Sequence, residues 1–525
     1  MWCICYYIAD VKGGYKMIIL DGESLDLEQF IAVVRDKQKV ALDEKAIFRV
    51  NKAHQLVEKH IQDNRVVYGI NTGFGKLSDI RIKNEELSDL QKNLLLSHAC
   101  GTGELFDNDV VRGMLLLRVN ALIKGYSGIR IEVIEKLCEF LNKDLIPVVY
   151  SQGSLGASGD LVPLAHMALP LLGEGEVIYQ NERQSAKKGL QKANIKPLDR
   201  LEAKEGLALI NGTQAMVSVG ALATYDAFKT FKHAIISATM SFEALKGICD
   251  VFDERIHNAR PHHGQLRVAG MMRHTIKDSK NVSHQGDDHI QDAYSLRCIP
   301  QVHGATLDAL EYALNKIEIE MNSATDNPLL FTKEEDVLSA GNFHGQPVAM
   351  VFDYLAIAVH ELANISERRL ERMVNTDINK MFPPFLAKYK GRNSGFMIVQ
   401  YVAASLVSEN KVLTHPASVD SIPSSANKED HVSMGTIAAR KLAKVMEHTR
   451  KVIALEMFTA AQALDFQGLN ACGSVCRKAY DIIRSGVPFI EEDTMMQPYM
   501  DFVETCLIED KITDEVLEAW LWKKR

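Results

Sequence analysis

No glycine or proline interrupts the chain between Gly435 and Gly468. The stretch is rich in Ala, Lys, Leu, Met and Glu, so it favours a helix and holds nothing that would stop one. Two other windows carry a helical period. Leu307, Leu310, Leu314, Ile317 and Met321 recur at three- and four-residue steps, and Phe352, Leu355, Val359, Leu362 and Ile365 do the same. Each set lies on one helix face. Long helices with apolar faces bury those faces against one another, usually as bundles. Strand-like stretches are scarce, with Ile18-Ile19-Leu20 and Val177-Ile178-Tyr179 the best candidates. The expected fold is therefore mainly α, a long-helix bundle beside a smaller loop-rich N-terminal region.

The chain has 525 residues, 46% of them apolar, and a formal net charge of -8. It is long enough for several domains or for one core with appended segments. Its acidic balance and scattered basic residues argue against a nucleic-acid partner. No apolar run is read as long enough to span a bilayer. The opening Met1-Trp2-Cys3-Ile4-Cys5-Tyr6-Tyr7-Ile8 lacks a basic leader and a small-residue cleavage site. The nine cysteines follow no framework spacing and read as reduced, mostly buried thiols of a cytoplasmic protein. The expected divisions are residues 1–16 as an N-terminal extension, 17–200 as the loop-rich region and 201–525 as the helical part.

The chemistry concentrates in loops between helices. Gly156-Ala157-Ser158-Gly159-Asp160 contains an Ala-Ser-Gly tripeptide that can cyclise. The amide nitrogen of Gly159 attacks the carbonyl carbon of Ala157, and loss of two waters leaves a 4-methylidene-imidazol-5-one. The ring carries an electron-poor alkene, a strong electrophile of the kind proteins usually borrow from a cofactor. Gly159 has no Cβ to block the attack, and Ser158 supplies the hydroxyl that leaves. Alone, the tripeptide reads more simply as a small-residue turn before a helix. It is not a nucleophile elbow, because G-x-S-x-G spacing is absent around Ser158. Val67 to Gly75 sets Tyr68 in a glycine-rich turn without the G-x-x-x-x-G-K-[ST] of a phosphate loop. His98 follows an apolar run, where a histidine is more often a core residue than a ligand.

Seven segments in this order resemble the ammonia-lyases that use a methylidene-imidazolone, specifically their histidine-type branch. They are Tyr68 to Gly75, Gly156 to Asp160, Asn211 to Gln214, Gln291 to Arg297, Thr325 to Pro328, Gly341 to His344 and Ser425 to Gly435. The resemblance runs from about Ile18 to the C-terminal region. It implies a fumarase/aspartase-like helical fold, a prosthetic ring formed from Ala157, Ser158 and Gly159, and no external cofactor or metal. It implies that Tyr68 removes the substrate's β-proton, with a pKa lowered by its surroundings. Arg297 then holds the substrate carboxylate, Asn211, Gln291 and Tyr294 hydrogen-bond the ring or the amine, and Phe343 packs nearby. Sites shared between subunits of a homotetramer are implied as well, as is the absence of nucleic-acid and membrane partners.

The pair Ser97-His98 is the histidine type, where relatives acting on tyrosine or phenylalanine carry His-Leu or Phe-Leu. Glu429 agrees, since the phenylalanine enzymes have Gln at that place. His98 and Glu429 suit an imidazole, which both donates and accepts hydrogen bonds; against a phenyl ring they would be left unpaired. The implied reaction converts L-histidine to trans-urocanate and ammonia. Departures from the family are Lys428 for Gln, His303 for Met, and residues 1–16, which make Met17 the expected initiator. Rival readings are a tyrosine or phenylalanine lyase or an aminomutase, a fumarase-type lyase without the ring, and a metal hydrolase using His284, Asp287, Asp288 and His289. The fumarase-type mobile-loop signature is absent, and His360-Glu361 lacks the second histidine of H-E-x-x-H.

Overall fold

The computed structural model describes residues 17–521 apart from Asn64, Phe74, Ser78, Asp288 and Lys390. The expected extension, residues 1–16, lies outside the described residues. Among the described residues, nineteen α-helices and four small sheets make the protein mainly α. The chain forms two compact units. The first takes residues up to Ser218 together with Glu318–His344 and Pro423–His431, and the second takes Val219–Ile317, Gly345–Ile422 and Val432–Arg525.

The first unit holds all four sheets. Ile18–Leu20 pairs in parallel with Val40–Leu42, and Glu176–Tyr179 pairs antiparallel with both Ile146–Pro147 and Glu182–Ser185. Both strands read from the sequence are therefore present. The central helix is Asn108–Leu122, buried on every side from Val110 to Leu122. A helix that is apolar all round has no solvent face to keep. Two charges lie within it. Arg112 is held by the Val33, Val34 and Leu141 carbonyls and by Asp144, while Arg118 reaches the Asn211 carbonyl. Three further helices, Leu87–His98, Leu161–Ala168 and Glu205–Ile210, pack pairwise against each other.

The second unit is the long-helix bundle. Gln346–Val374 packs along Gly435–Gln467, and Met397–Leu413 packs on both. All three helices read from periodicity are present, as Ile299–Met321, Gln346–Val374 and Gly435–Gln467. Phe352 fits against Gly220, where a Cβ would come within 2.0 Å of its ring. A mid-helix glycine costs about 1 kcal/mol but lets the two helices close. The Glu456 carboxylate, fully buried, accepts from the Arg369 guanidinium at 2.5 and 2.8 Å and from Ser241 and Ser366 at 2.6 Å each. One carboxylate thus ties together three long helices.

One expectation needs correction. Gln346–Val374 is long and apolar enough to cross a membrane, with a mean hydropathy of 1.5 over its best window, although no run was read as sufficient. That window is 61% buried inside the protein, as in the core helix of a bundle. The cysteines are also less buried than expected. Of those described, Cys138, Cys476 and Cys506 are buried, Cys249, Cys298 and Cys472 half-buried, and Cys100 exposed.

Candidate active site

The pairwise packing of three short helices in the first unit gathers their ends. His98 closes Leu87–His98, Asp160 precedes Leu161–Ala168, and Asn211 follows Glu205–Ile210. Asp160 is buried and fixes its own turn. It accepts from Ser154 Oγ and from the Met216 amide at 2.8 Å each, and its amide donates to the Gly212 carbonyl at 2.7 Å. Gly159 adopts a left-handed φ of +75°, and a Cβ there would meet the Gly212 oxygen at 2.2 Å. Only glycine fits so close to another backbone. Among the described residues the Gly159 amide donates to no hydrogen-bond partner.

Ser158 stands between two fixed groups. Asn211 Nδ2 donates to the Ser158 carbonyl at 2.8 Å, and Ser158 Oγ donates to Glu429 Oε1 at 2.5 Å. The other oxygen of Glu429 accepts from Ser424 Oγ at 2.8 Å, and the backbones of Ser424 and Glu429 pair at 2.9 and 3.3 Å. That loop turns through Ser425, Ala426 and Asn427 at φ of 50°, 52° and 64°. Left-handed backbone costs about 1–2 kcal/mol for residues such as Ser425 and Ala426, though Asn tolerates it better, and such strain tends to sit at functional sites.

These groups open on one cavity of about 510 Å³, lined by Tyr68, His98, Ser158, Asn211, Phe343, Lys428 and Glu429. Ala157 and Gly159 flank Ser158 in the chain. Gln291, Tyr294 and Arg297 belong to the second unit. Tyr294 is 70% exposed there, and the Arg297 guanidinium lies 4.6 Å from the centre of the Tyr294 ring. The Arg297 Nε is buried without a hydrogen-bond partner among the described residues.

The electrostatics correct one expectation. The Tyr68 phenol is pushed above its ordinary value, chiefly by burial, with the charges of Glu429 and Asp326 adding to the effect. The Gly75 amide, donating to the phenol oxygen, offsets only part of this. The sequence suggested a lowered value, but the charged neighbours are acidic. Burial holds His98 below the usual histidine range, against an opposing pull from Glu429. Ser97 Oγ lies 3.0 Å from His98 Nδ1.

A second layer escaped the sequence reading. Buried Arg118, its pKa lowered to about 10 by desolvation, donates to the Asn211 carbonyl at 2.8 Å and to Gln214 Oε1 at 3.0 Å. Lys204 and Asp326 form a fully buried pair at 2.6 Å behind the Tyr68 loop. The signal for Arg118 was present, as a charge inside an apolar helix. Asn327, Ser339 and Ser425 also line the cavity. The polar loop considered as a metal site does not gather its four residues. His284 turns to Asp250 at 2.9 Å, His289 to Asp292 at 2.8 Å, and Asp288 lies outside the described residues.

A family model described as aromatic amino acid lyase matches residues 25–485. A histidine ammonia-lyase of Alkaliphilus metalliredigens (strain QYMF) is 51% identical, over 95% of this chain and 98% of that protein. The crystal structure of histidine ammonia-lyase from Trypanosoma cruzi superposes with a TM-score of 0.89 at 40% identity, covering 96% of each chain. Tyrosine aminomutase from Streptomyces globisporus gives a TM-score of 0.91 at 35% identity, over 95% of this chain and 98% of that one. With the match running through both units and relatives half identical along nearly the whole length, the chain belongs to the aromatic amino acid lyase family.

Proposed function

We propose that this chain eliminates ammonia from L-histidine to give trans-urocanate, using a 4-methylidene-imidazol-5-one formed from Ala157, Ser158 and Gly159. The placement of Ser158 carries the reading. Its carbonyl is held by Asn211, its hydroxyl faces Glu429, and the next amide, that of Gly159, is unengaged. Ring closure joins the Gly159 nitrogen, unengaged among the described residues, to the Ala157 carbonyl carbon with loss of one water. The Asn211 bond to the Ser158 carbonyl then acidifies the Ser158 Cα–H, and Glu429 stands where the Ser158 hydroxyl departs as the second water. The ring supplies an electrophile that turns the substrate's amino group into a better leaving group.

The other roles fall to side chains. Tyr68 takes the β-proton, a step for which a positioned base supplies roughly 10²–10⁴-fold, or about 3–5 kcal/mol of the 8–23 kcal/mol that enzymes provide. The remainder calls for the electrophile. His98 and Glu429 share the cavity and bind the imidazole. Phe343 packs beside it. Arg297 clamps the carboxylate as a bidentate partner, with Gln291 and Tyr294 close to the amine. We assign these three second-unit residues to an active site completed by a neighbouring copy in a homotetramer. Support comes from the exposed face that carries Met350, Tyr354 and Ile357, 59%, 47% and 43% exposed on one helix, a row of apolar side chains of the kind that marks interaction surfaces. Unpaired thiols at all seven described cysteines support a cytoplasmic setting.

The test is a urocanate absorbance assay on purified protein with L-histidine, L-tyrosine and L-phenylalanine offered separately, beside Ser158→Ala. Turnover of histidine alone, falling by roughly 10³-fold or more in the variant, is the expected result. Turnover of tyrosine or phenylalanine instead would keep the ring and move the reading to a tyrosine or phenylalanine ammonia-lyase or an aminomutase. Full activity in Ser158→Ala would remove the ring from the chemistry.

A further inference from the structure

The second unit holds a cluster that none of the roles above uses. Glu243, near the end of Gln214–Ala244, is fully buried. Its Oε2 accepts from the Gly473 amide at 2.9 Å, while its Oε1 has no well-formed hydrogen bond among the described residues, the Ser279 hydroxyl and the Cys476 thiol standing beside the carboxylate. A buried carboxyl oxygen that is poorly satisfied is costly and leaves room for a ligand. Facing it are two thiols, Cys472 and Cys476, whose sulfurs lie with a carboxylate oxygen of Glu243 within 4.8 Å of one another. We propose that Glu243, Cys472 and Cys476 bind one thiophilic divalent cation of the zinc class.

The donor set selects the ion. Two sulfurs exclude calcium and magnesium, which take oxygen ligands, and two sulfurs with a carboxylate suit zinc or cadmium. Zinc takes sulfur at about 2.3 Å and carboxylate oxygen at about 2.0–2.2 Å. Around such an ion the donors stand roughly 3.3–3.8 Å apart, so a small inward movement from the present spacing closes the site.

The supports are rigid. Cys476 is buried in the first turn of Ser474–Arg484, whose N-terminal amides favour the net negative charge of the bound set. Asn281, itself buried, donates from Nδ2 to Cys472 Sγ at 3.4 Å and so orients the outer sulfur. The Lys280 and Asn281 amides hold the preceding turn through the Ala471 carbonyl at 2.7 and 3.2 Å. A Cβ on Gly473 would come within 3.0 Å of Glu243 Oε1, so a larger residue there would crowd the ion. Cys472 is half-buried, which gives the ion a way in and leaves a fourth position for water. The bound ion would pin the segment after Gly435–Gln467 to the end of Gln214–Ala244.

The experiment uses the reduced full-length protein, stripped with a chelator and then freed of it. Titration with Cd²⁺ reads the ultraviolet thiolate charge-transfer band, and Zn²⁺ competition with a chromophoric chelator gives the affinity. We expect one equivalent per chain. Cys472→Ser and Cys476→Ser should each weaken binding by about 100-fold and Glu243→Gln by about 10-fold, with helical circular dichroism unchanged. Cys506→Ser should bind as the parent does. Should Cys476→Ser fail to fold, the half-buried Cys472→Ser decides by itself. Absence of the band overturns the proposal. So does a band that survives Cys472→Ser but disappears in Cys249→Ser, which would place the ion at Cys249, Asp250 and His284. Loss of two thiols to mild oxidation, with no band beforehand, overturns it in favour of a disulfide. None of these readouts depends on turnover of an amino acid.

Discussion

Tyr68 is a phenol asked to act as a base in surroundings that oppose its ionisation. Burial and the charges of Glu429 and Asp326 all raise its pKa. The phenolate fraction grows about tenfold for each pH unit below that value, so kcat/KM for histidine should climb from neutral into alkaline pH. Glu429→Gln removes one negative neighbour, which lowers the phenol's pKa and should move the rising limb to lower pH even as the rate falls. Tyr68→Phe should lose roughly 10²–10⁴-fold in kcat and flatten the limb. Stopped-flow or steady-state urocanate formation across pH checks all three. The sequence disclosed the phenol through its glycine-rich turn, but its electrostatics were hidden. Asp326 and Glu429 are remote along the chain and reach Tyr68 only after folding. Arg118 was hidden for the opposite reason, since it is embedded in the buried helix Asn108–Leu122, which no motif marks.

Among the elements, the legible ones were those with a period. Leu307 to Met321, Phe352 to Ile365 and the run after Gly435 each repeat often enough to set a helix face. The turn Ser425-Ala426-Asn427 has no such signature. Its left-handed residues are imposed by the pairing of Ser424 with Glu429 rather than by local preference. The loop at Gly159 is the most constrained. Gly159→Ala adds about 1–2 kcal/mol of left-handed strain to a Cβ placed 2.2 Å from the Gly212 oxygen. We expect soluble protein with reduced thermal stability and almost no urocanate formation. An alanine variant as active as the parent would show that the Gly159–Gly212 contact has no part in building the site.

A few buried polar nodes punctuate the apolar packing of the second unit. Glu456 satisfies Arg369, Ser241 and Ser366 at once. Glu456→Gln leaves the guanidinium uncompensated and should cost about 3–5 kcal/mol, measured as a lower thermal midpoint. Beside it, Arg369 Nη1 donates to His303 Nε2 at 3.5 Å, so the histidine is the neutral Nδ1–H form. Burial first, then the Arg369 charge, hold its pKa well below the ordinary value. The sign follows. The unfolded histidine takes up a proton below about pH 6.5 while the folded one does not, so stability falls as pH drops through that value. His303→Met removes this contribution, and its unfolding midpoint should depend less on pH between about 6.5 and 5. The bundle itself was readable as a whole, because its helices are long. The return of Pro423–His431 into the first unit was not, because no composition change marks a chain that folds back.

The Ser158–Glu429 contact joins positions 271 residues apart. A ribosome must therefore deliver most of the chain before that serine meets its carboxylate. Under the proposed chemistry, a half-made chain carries an ordinary serine, and the reactive alkene appears only once the last part of its own cavity has arrived. Thiols of the translation machinery meet only that serine. Chains ended before Pro423 should accordingly show by intact mass the full weight of their sequence, whereas the complete chain should be lighter by two waters.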